Sequence, residues 1–189
     1  MPAPVLITRR LKLRPWREED LVPFRALNSD SHVMRYLPKK LTDDESDLMA
    51  ARLRKLMEEH AFGFWAVEVA DSADFIGFTG LHRPDFESRF MPCMEIGWRL
   101  AYNHWGKGYA SEAASAALSY AFGTLGQEEV VAFTVPENQR SRNVMERIGM
   151  TCSPADEFDH PNLPEGHTLR RHVLYRINHS VWRLHPGSS

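Results

Sequence analysis

Leu11 and Leu13 alternate with Lys12 and Arg14 until Pro15, the two-residue period of a half-buried strand that a proline ends. A polar run from Arg17 to Asp20 leads into Leu21, Phe24 and Leu27, which lie along one face of a short helix. Its Pro23 fits only the first turn. Thr42, followed three residues on by Glu45, makes a capping box, and Met49, Leu53, Leu56, Met57 and His60 then recur at helical spacing. A second, longer helix is expected there.

After Gly63 the period shortens. Residues 64–69 and 75–81 are rich in aromatic and branched side chains and flank Asp71-Ser72-Ala73-Asp74, a hairpin pattern. Met94, Ile96, Trp98 and Leu100 alternate with Glu95, Gly97 and Arg99 in a third strand, so an antiparallel meander in an α+β layer fold is expected. From Ala110, the residues Ala113, Ala114, Ala117, Leu118 and Ala121 fall on one helical stripe, whose small side chains let the helix lie close to a sheet. Residues 129–135 read as a strand ended by Pro136, and 140–148 as a short helix with Asn138 as N-cap and Gly149 as its stop. Residues 153–168 read as an ordered but irregular loop, 169–177 as the last strand and 186–189 as a disordered tail.

The chain of 189 residues is long enough for one continuous core, so residues 1–185 are expected to form a single domain. Val5, Leu6 and Ile7 are followed at once by Arg9, Arg10 and Lys12, too short an apolar run for a signal or a membrane span. No membrane partner is expected. With 23 Lys and Arg against 25 Asp and Glu, the chain lacks the cationic excess of a general nucleic-acid binder. Cys93 and Cys152 stand far apart in no metal-ligand spacing and read as reduced thiols, which points to a cytoplasmic location. Asp159, His160, His167 and His172 match no zinc pattern, so no metal is expected.

The segment that carries chemistry runs from the strand at 94–100 through Trp105-Gly106-Lys107-Gly108-Tyr109-Ala110-Ser111 into the alanine-striped helix. A strand feeding a helix through such a turn leaves unpaired backbone N–H groups at the positive end of the helix dipole, an anion site most often used for phosphate. Gly106 and Gly108 remove the Cβ atoms that would hold a pyrophosphate away, and Lys107 adds positive charge at the rim. The other reading of this segment is a plain strand-to-helix turn with glycines for geometry.

Glu95-Ile96-Gly97-Trp98, the run from Trp105 to Ala113, and Asn138 with Ser141, Val144, Glu146, Gly149 and Met150 occur in the order that resembles the GNAT superfamily of N-acetyltransferases. Within it, the chain is most similar to the RimJ and RimL branch. The resemblance implies a mixed, mostly antiparallel sheet flanked by helices, with two central strands, here 94–100 and 129–135, splayed apart. It further implies that acetyl-CoA enters that gap and transfers its acetyl group to an amine, either a protein N-terminus or a small molecule. Main-chain groups around Trp98, Arg99 and Leu100 would bond the cofactor arm and polarise the thioester. The turn with Tyr109, Ala110 and Ser111 would hold the pyrophosphate, with Asn138 as a further cofactor contact. Trp105 stands where the family signature has Gln or Arg, which removes any side-chain contact expected from that position.

Attack needs a neutral amine, so a proton acceptor is required. Glu95, on the polar side of its strand, is the candidate base, and the resemblance assigns Ser141 to the leaving thiolate. Both also read as ordinary surface residues of a strand and a helix. His82 and His160 are the candidate acceptor-lining residues. A homodimer is compatible with the sequence. Two rival functions remain at this level. A catalytically silent acyl-CoA-binding module would keep the turn without using Glu95 and Ser141. A dinucleotide-binding oxidoreductase would use Gly106-Lys107-Gly108, with Glu128 or Glu129 about 20 residues on, but the antiparallel-type strands before the turn argue against it.

Overall fold

A computed structural model of the protein describes residues 3–185 and 187. Of the tail expected at 186–189, all but Gly187 lie outside the described residues. The chain order is β1 (Leu6–Ile7), β2 (Leu11–Arg14), α1 (Leu21–Ser29), α2 (Asp43–His60), β3 (Phe64–Val69), β4 (Phe75–His82) and β5 (Glu95–Leu100). Then follow α3 (Tyr109–Gly123), β6 (Glu129–Thr134), α4 (Gln139–Arg147), β7 (Thr151–Cys152), β8 (Phe158–Asp159), β9 (Arg171–Asn178) and α5 (His179–Trp182). The sheet order is β1-β2-β3-β4-β5-β6-β9-β7, with β8 added to β9. Every neighbouring pair is antiparallel except β5 and β6, which are parallel and joined by the α3 crossover. The expected α+β class, with its mixed and mostly antiparallel sheet, is what the chain adopts.

The meander β3-β4-β5 and its hairpin form as the periodicity predicts. α3 packs across β4 and β5 on one face of the sheet. Its Ala113, Ala114, Ala117, Leu118 and Ala121 are fully buried, and small side chains there allow the close approach. Trp65 meets Tyr120 of α3 edge-on at 5.5 Å. The opposite face carries α1 and α2, where Phe24 packs edge-on against Phe78 at 5.9 Å and Trp16 against Phe24 at 4.9 Å.

The capping box at Thr42 and Glu45 forms, but the buried stripe of α2 is Ser46, Ala50, Leu53 and Met57. Met49 and Leu56 flank it, and His60, expected on the apolar face, is exposed. The helix is rotated by about one residue because buried Asn28 of α1 donates to Ser46 Oγ at 2.8 Å, drawing the polar Ser46 into the α1–α2 seam. Arg14 is buried, with Asp20 bidentate at 2.7 and 2.8 Å and Glu68 at 2.6 Å, so its charge is fully answered by carboxylates.

The ladder between β5 and β6 is the feature that positions a site. β4 and β5 pair from Gly77↔Leu100 to His82↔Glu95, and β6 and β9 from Glu129↔Asn178 to Thr134↔Val173. β5 and β6 share only the register pair Glu95↔Val131, with the Val131 N–H on the Met94 carbonyl at 2.9 Å. Beyond it the two strands diverge, as the splay expected of 94–100 and 129–135 requires. Residues 153–168, expected as an irregular loop, contain the two-residue β8, whose Phe158 joins Phe90, Val131 and Leu174 in a second apolar cluster.

Close helix-to-sheet packing at Ala117 can be tested directly. Ala117→Leu inserts a branched side chain at a fully buried position and should lower the unfolding free energy by about 1–3 kcal/mol in a denaturant titration. An unchanged midpoint would mean that α3 does not rest on the sheet as described.

Candidate functional site

The gap between β5 and β6 opens into a cleft of about 770 Å³. Its floor is β5 from Glu95 to Leu100, and one wall is the turn before α3. Phe133, Thr134, Asn138 and Ser141 form a second wall, and the segment after α1, with His32, Val33, Arg35, Tyr36 and Leu37, forms a third.

In the turn, Gly106 and Gly108 have φ of 77° and 80°, a left-handed conformation that glycine adopts without strain. These two residues aim the chain so that the N–H groups of Gly106, Lys107, Gly108, Tyr109, Ala110 and Ser111 find no acceptor among the described residues, whereas Glu112 N–H closes on the Gly108 carbonyl at 3.1 Å. Ser111 Oγ is also buried and unpartnered. A row of free donors at a helix N-terminus suits a multiply charged anion. Gly106, Gly108, Tyr109, Ala110 and Ser111 all line the cleft, while Lys107 is exposed at its rim.

Sequence reasoning missed what holds this turn. Arg10 Nη1 donates to the Lys107 carbonyl at 2.9 Å, Arg10 Nε to Glu112 Oε2 at 2.6 Å, and the Arg10 guanidinium lies 4.8 Å from the Tyr109 ring centroid. Thr8 Oγ1 and the Arg10 N–H also donate to Glu112 Oε1, at 2.7 and 2.8 Å. Burial would raise the Glu112 carboxyl, but these donors outweigh it and hold it below the ordinary value. The only sequence signal was a basic pair ahead of β2, with nothing local to tie it to α3.

The strand edge is equally open. Because the Met94 carbonyl faces β6, the alternation of a strand turns the main-chain groups of Ile96, Trp98 and Leu100 the same way and those of Glu95, Gly97 and Arg99 toward β4. Past the single pair with Val131, the N–H and C=O of Trp98 have no strand opposite. The Leu100 carbonyl accepts the Trp105 indole N–H at 2.7 Å, and Arg140 stacks over that indole at 5.2 Å. Trp105 therefore closes the end of the open edge.

Glu95 lines the cleft and its carboxyl makes no hydrogen bond among the described residues; burial pushes it up to about 8. His82 stands opposite it in the ladder, its Nδ1 3.3 Å from Glu95 Oε2 but not aligned for a hydrogen bond. Burial, with the charge of Arg52, pushes His82 down to about 4. Both shifts favour a pair with no net charge. His82 thus backs the cleft through Glu95 and through Phe64, whose ring centroid is 5.4 Å from its own.

Ser141 sits in the first turn of α4, its Oγ without a partner among the described residues and its N–H on Asn138 Oδ1 at 3.3 Å. Asn138 Nδ2 donates to Thr134 Oγ1 at 3.0 Å, so the N-cap uses both ends of that side chain. Arg99 projects into the cleft on the α1–α2 side. His160 is not brought there: it packs against Phe86 at 4.7 Å and His172 at 5.2 Å in the second apolar cluster and reaches the cleft only by way of Phe133. Its loop position looked like an acceptor loop in sequence, but aromatic neighbours drew the ring inward. Glu129, considered for a ribose, is paired with Arg176 at 2.6 Å. Among the described residues no three His, Cys, Asp or Glu side chains form a group that could hold a metal ion, and no helix is long and apolar enough to cross a membrane.

The acetyltransferase (GNAT) domain family matches residues 10–151. An uncharacterized N-acetyltransferase of Bacillus subtilis, YnaD, is 31% identical over 177 residues, covering 94% of this chain and 98% of that protein. The FsC-acetyl coenzyme A-N(2)-transacetylase of Aspergillus fumigatus is 32% identical over 190 residues, covering 95% and 78%. A GNAT-family acetyltransferase structure from Bacillus anthracis superposes with a TM-score of 0.77 at 27% identity, covering 93% of this chain and 98% of that one. RimJ of Mycobacterium smegmatis, in complex with CoA-disulfide, shares the fold, with a TM-score of 0.72 at 19% identity and coverage of 90% and 82%.

Desolvation of Glu95 predicts a pH signature of stability. The folded protein holds this proton up to about 8, whereas the unfolded chain releases it near the ordinary value of 4.5, so stability falls as pH rises through that window. Glu95→Gln removes the penalty. In denaturant titrations it should gain roughly 1–3 kcal/mol over the native chain at about pH 9 and almost nothing at about pH 4.5. A difference that stays flat with pH would refute a desolvated carboxyl.

Proposed function

This chain belongs to the acetyltransferase (GNAT) domain family, and from that premise we propose that it is a RimJ/RimL-like N-acetyltransferase, moving an acetyl group from acetyl-CoA to an amine. The observation that carries the reading is one shared cleft: the free N–H row at the start of α3 and the unpaired edge of β5 meet there with Glu95 and Ser141. The cleft's shape supports direct attack within a ternary complex, because donors for a pyrophosphate and an open main-chain edge for an extended arm lie in continuous line.

In this reading the pyrophosphate takes the N–H groups from Gly106 to Ser111, and the pantetheine arm runs along β5, bonding Trp98 in place of the missing strand. The Trp98 N–H polarises the thioester carbonyl, a fixed donor aimed at charge as it develops. The neutral amine attacks the carbonyl carbon, and its proton passes to the Glu95 carboxylate, directly or through one water. As the C–S bond breaks, Ser141 Oγ–H donates to the leaving thiolate and regains a proton from solvent. Because Glu95 titrates near 8, it is an acceptor on the alkaline side of neutrality. His82 beside it stays neutral and adds no charge of its own to the Glu95 end of the cleft.

Calorimetry and mass-spectrometric assay of an amine panel test this. The native protein should bind acetyl-CoA. Gly108→Val, which forces a branched residue to a φ of 80°, should weaken binding at least tenfold while unfolding stays cooperative. Glu95→Gln should cut turnover by about a hundredfold with acetyl-CoA affinity kept, and should erase the rise of rate centred near pH 8, leaving only the acceptor's own titration. Ser141→Ala should slow the reaction with little change in pH profile. Tight acetyl-CoA binding without turnover of any amine would instead make the protein a silent acyl-CoA-binding module.

A further inference from the structure

Two arginines reach into the fold, Arg14 buried and Arg99 half-buried in the cleft, and they are treated differently. Arg14 has two carboxylates, Asp20 and Glu68, on three of its nitrogens. Arg99 has none. Its Nη1 donates to the neutral Asn28 Oδ1 at 2.6 Å and touches Met49 Sδ at 4.0 Å, and its guanidinium carbon stands 5.2 Å from the Phe78 ring centroid. Its only polar contacts among the described residues are through Nη1, which leaves Nε and Nη2 for the cleft that the side chain lines. Burial pulls this guanidinium below its ordinary value, and with one neutral partner it lacks the counter-charge that a half-buried cation ordinarily finds.

The surroundings fix where that charge would come from. Glu95, Gly97 and Arg99 share one face of β5, away from α3 and its phosphate-suited turn. Glu95 and Arg99 are four residues apart, so their Cα atoms are roughly 13 Å apart; the Phe64 ring packs over Gly97 between them, and all of these residues, with Phe78, line the one cleft. Asp30, the nearest acid of the neighbouring segment, spends its Oδ1 on the backbone N–H groups of His32 and Val33, at 2.7 and 3.2 Å. Among the described residues no carboxylate stands within ion-pair distance of Arg99.

We infer that Arg99 binds a carboxylate carried by the acceptor, so that the enzyme's substrates are amines bearing a carboxylate a few bonds from the reacting nitrogen. The amine lies at the Glu95 end of this face of the cleft and the carboxylate at the Arg99 end. Arg99 is a specificity residue in this assignment and moves no proton. The inference rests on the acetyltransferase reading above.

The test compares ω-amino acids from glycine to 6-aminohexanoate with alkylamines of equal length. The native protein should favour at least one amino acid by about tenfold or more in kcat/KM, the size expected of a charge-assisted bond. Arg99→Met should erase that advantage mainly through KM while acetyl-CoA affinity by calorimetry is kept, and Arg99→Lys should restore part of it. As a second readout, the N-acetylated acid should bind the CoA-loaded native protein more tightly than its amide, and equally to the Arg99→Met protein. No preference for the acid in either measurement, or a preference that survives Arg99→Met, overturns this inference alone. Failure to bind acetyl-CoA overturns the acetyltransferase reading, and this inference with it.

Discussion

Beyond Glu95 and Val131, β5 and β6 have no ladder between them, and the main-chain groups that a ladder would satisfy face the cleft. Backbone groups removed from water without partners are costly, so a sheet normally closes such a gap. Here it is held open from both sides. β5 is committed to β4 along its whole length and β6 to β9 along its own, so neither strand can turn to meet the other without giving up a complete ladder. α3 bridges the two, and its stripe of alanines keeps the crossover tight enough for its N-terminus to stand at the mouth of the gap. The donors at that helix end and the empty edge of β5 are two results of one divergence.

The two faces of β5 divide the labour. Ile96 and Leu100 are buried toward α3 and anchor the strand, whereas Glu95, Gly97 and Arg99 look toward α1 and α2. The second face carries charge that the protein itself does not answer. Burial drives Glu95 and His82 in opposite directions, up to about 8 and down to about 4, and both shifts favour the neutral form of each. Their effects on stability also oppose one another. Below the ordinary histidine range the unfolded chain takes up protons that buried His82 refuses, while above the ordinary carboxylate range it gives up a proton that Glu95 retains.

Elements with strong local periodicity were legible in the sequence. The hairpin, the alanine helix, the Thr42 capping box and the Asn138 cap all formed within a residue or two of their expected bounds. β1, β7 and β8, of two residues each, carry no period and exist only because a longer neighbour offers an edge. The glycine turn and Glu95 were visible because their chemistry is local or their motif familiar. Three things were not. The Arg10 clasp depends on an ion pair 102 residues apart in sequence. His160 was read from its loop, yet its aromatic neighbours come from three separate segments. Residues 32–37 wall the cleft through a run with no motif, where His32 stacks on Tyr102 at 4.1 Å.

The Arg10 clasp is also a long-range closure laid over a local element. α3 can wind from its own alanine-rich sequence, and the glycines of its leading turn need no partner to adopt their φ. The turn is oriented only when β1 and β2 have docked and Arg10 has reached the Lys107 carbonyl, a closure that spans half the chain and is therefore slow relative to local helix formation. Contact order therefore places anion competence after helical content in refolding. A nascent chain that has made only its first hundred residues has the arginine but nothing yet for it to hold.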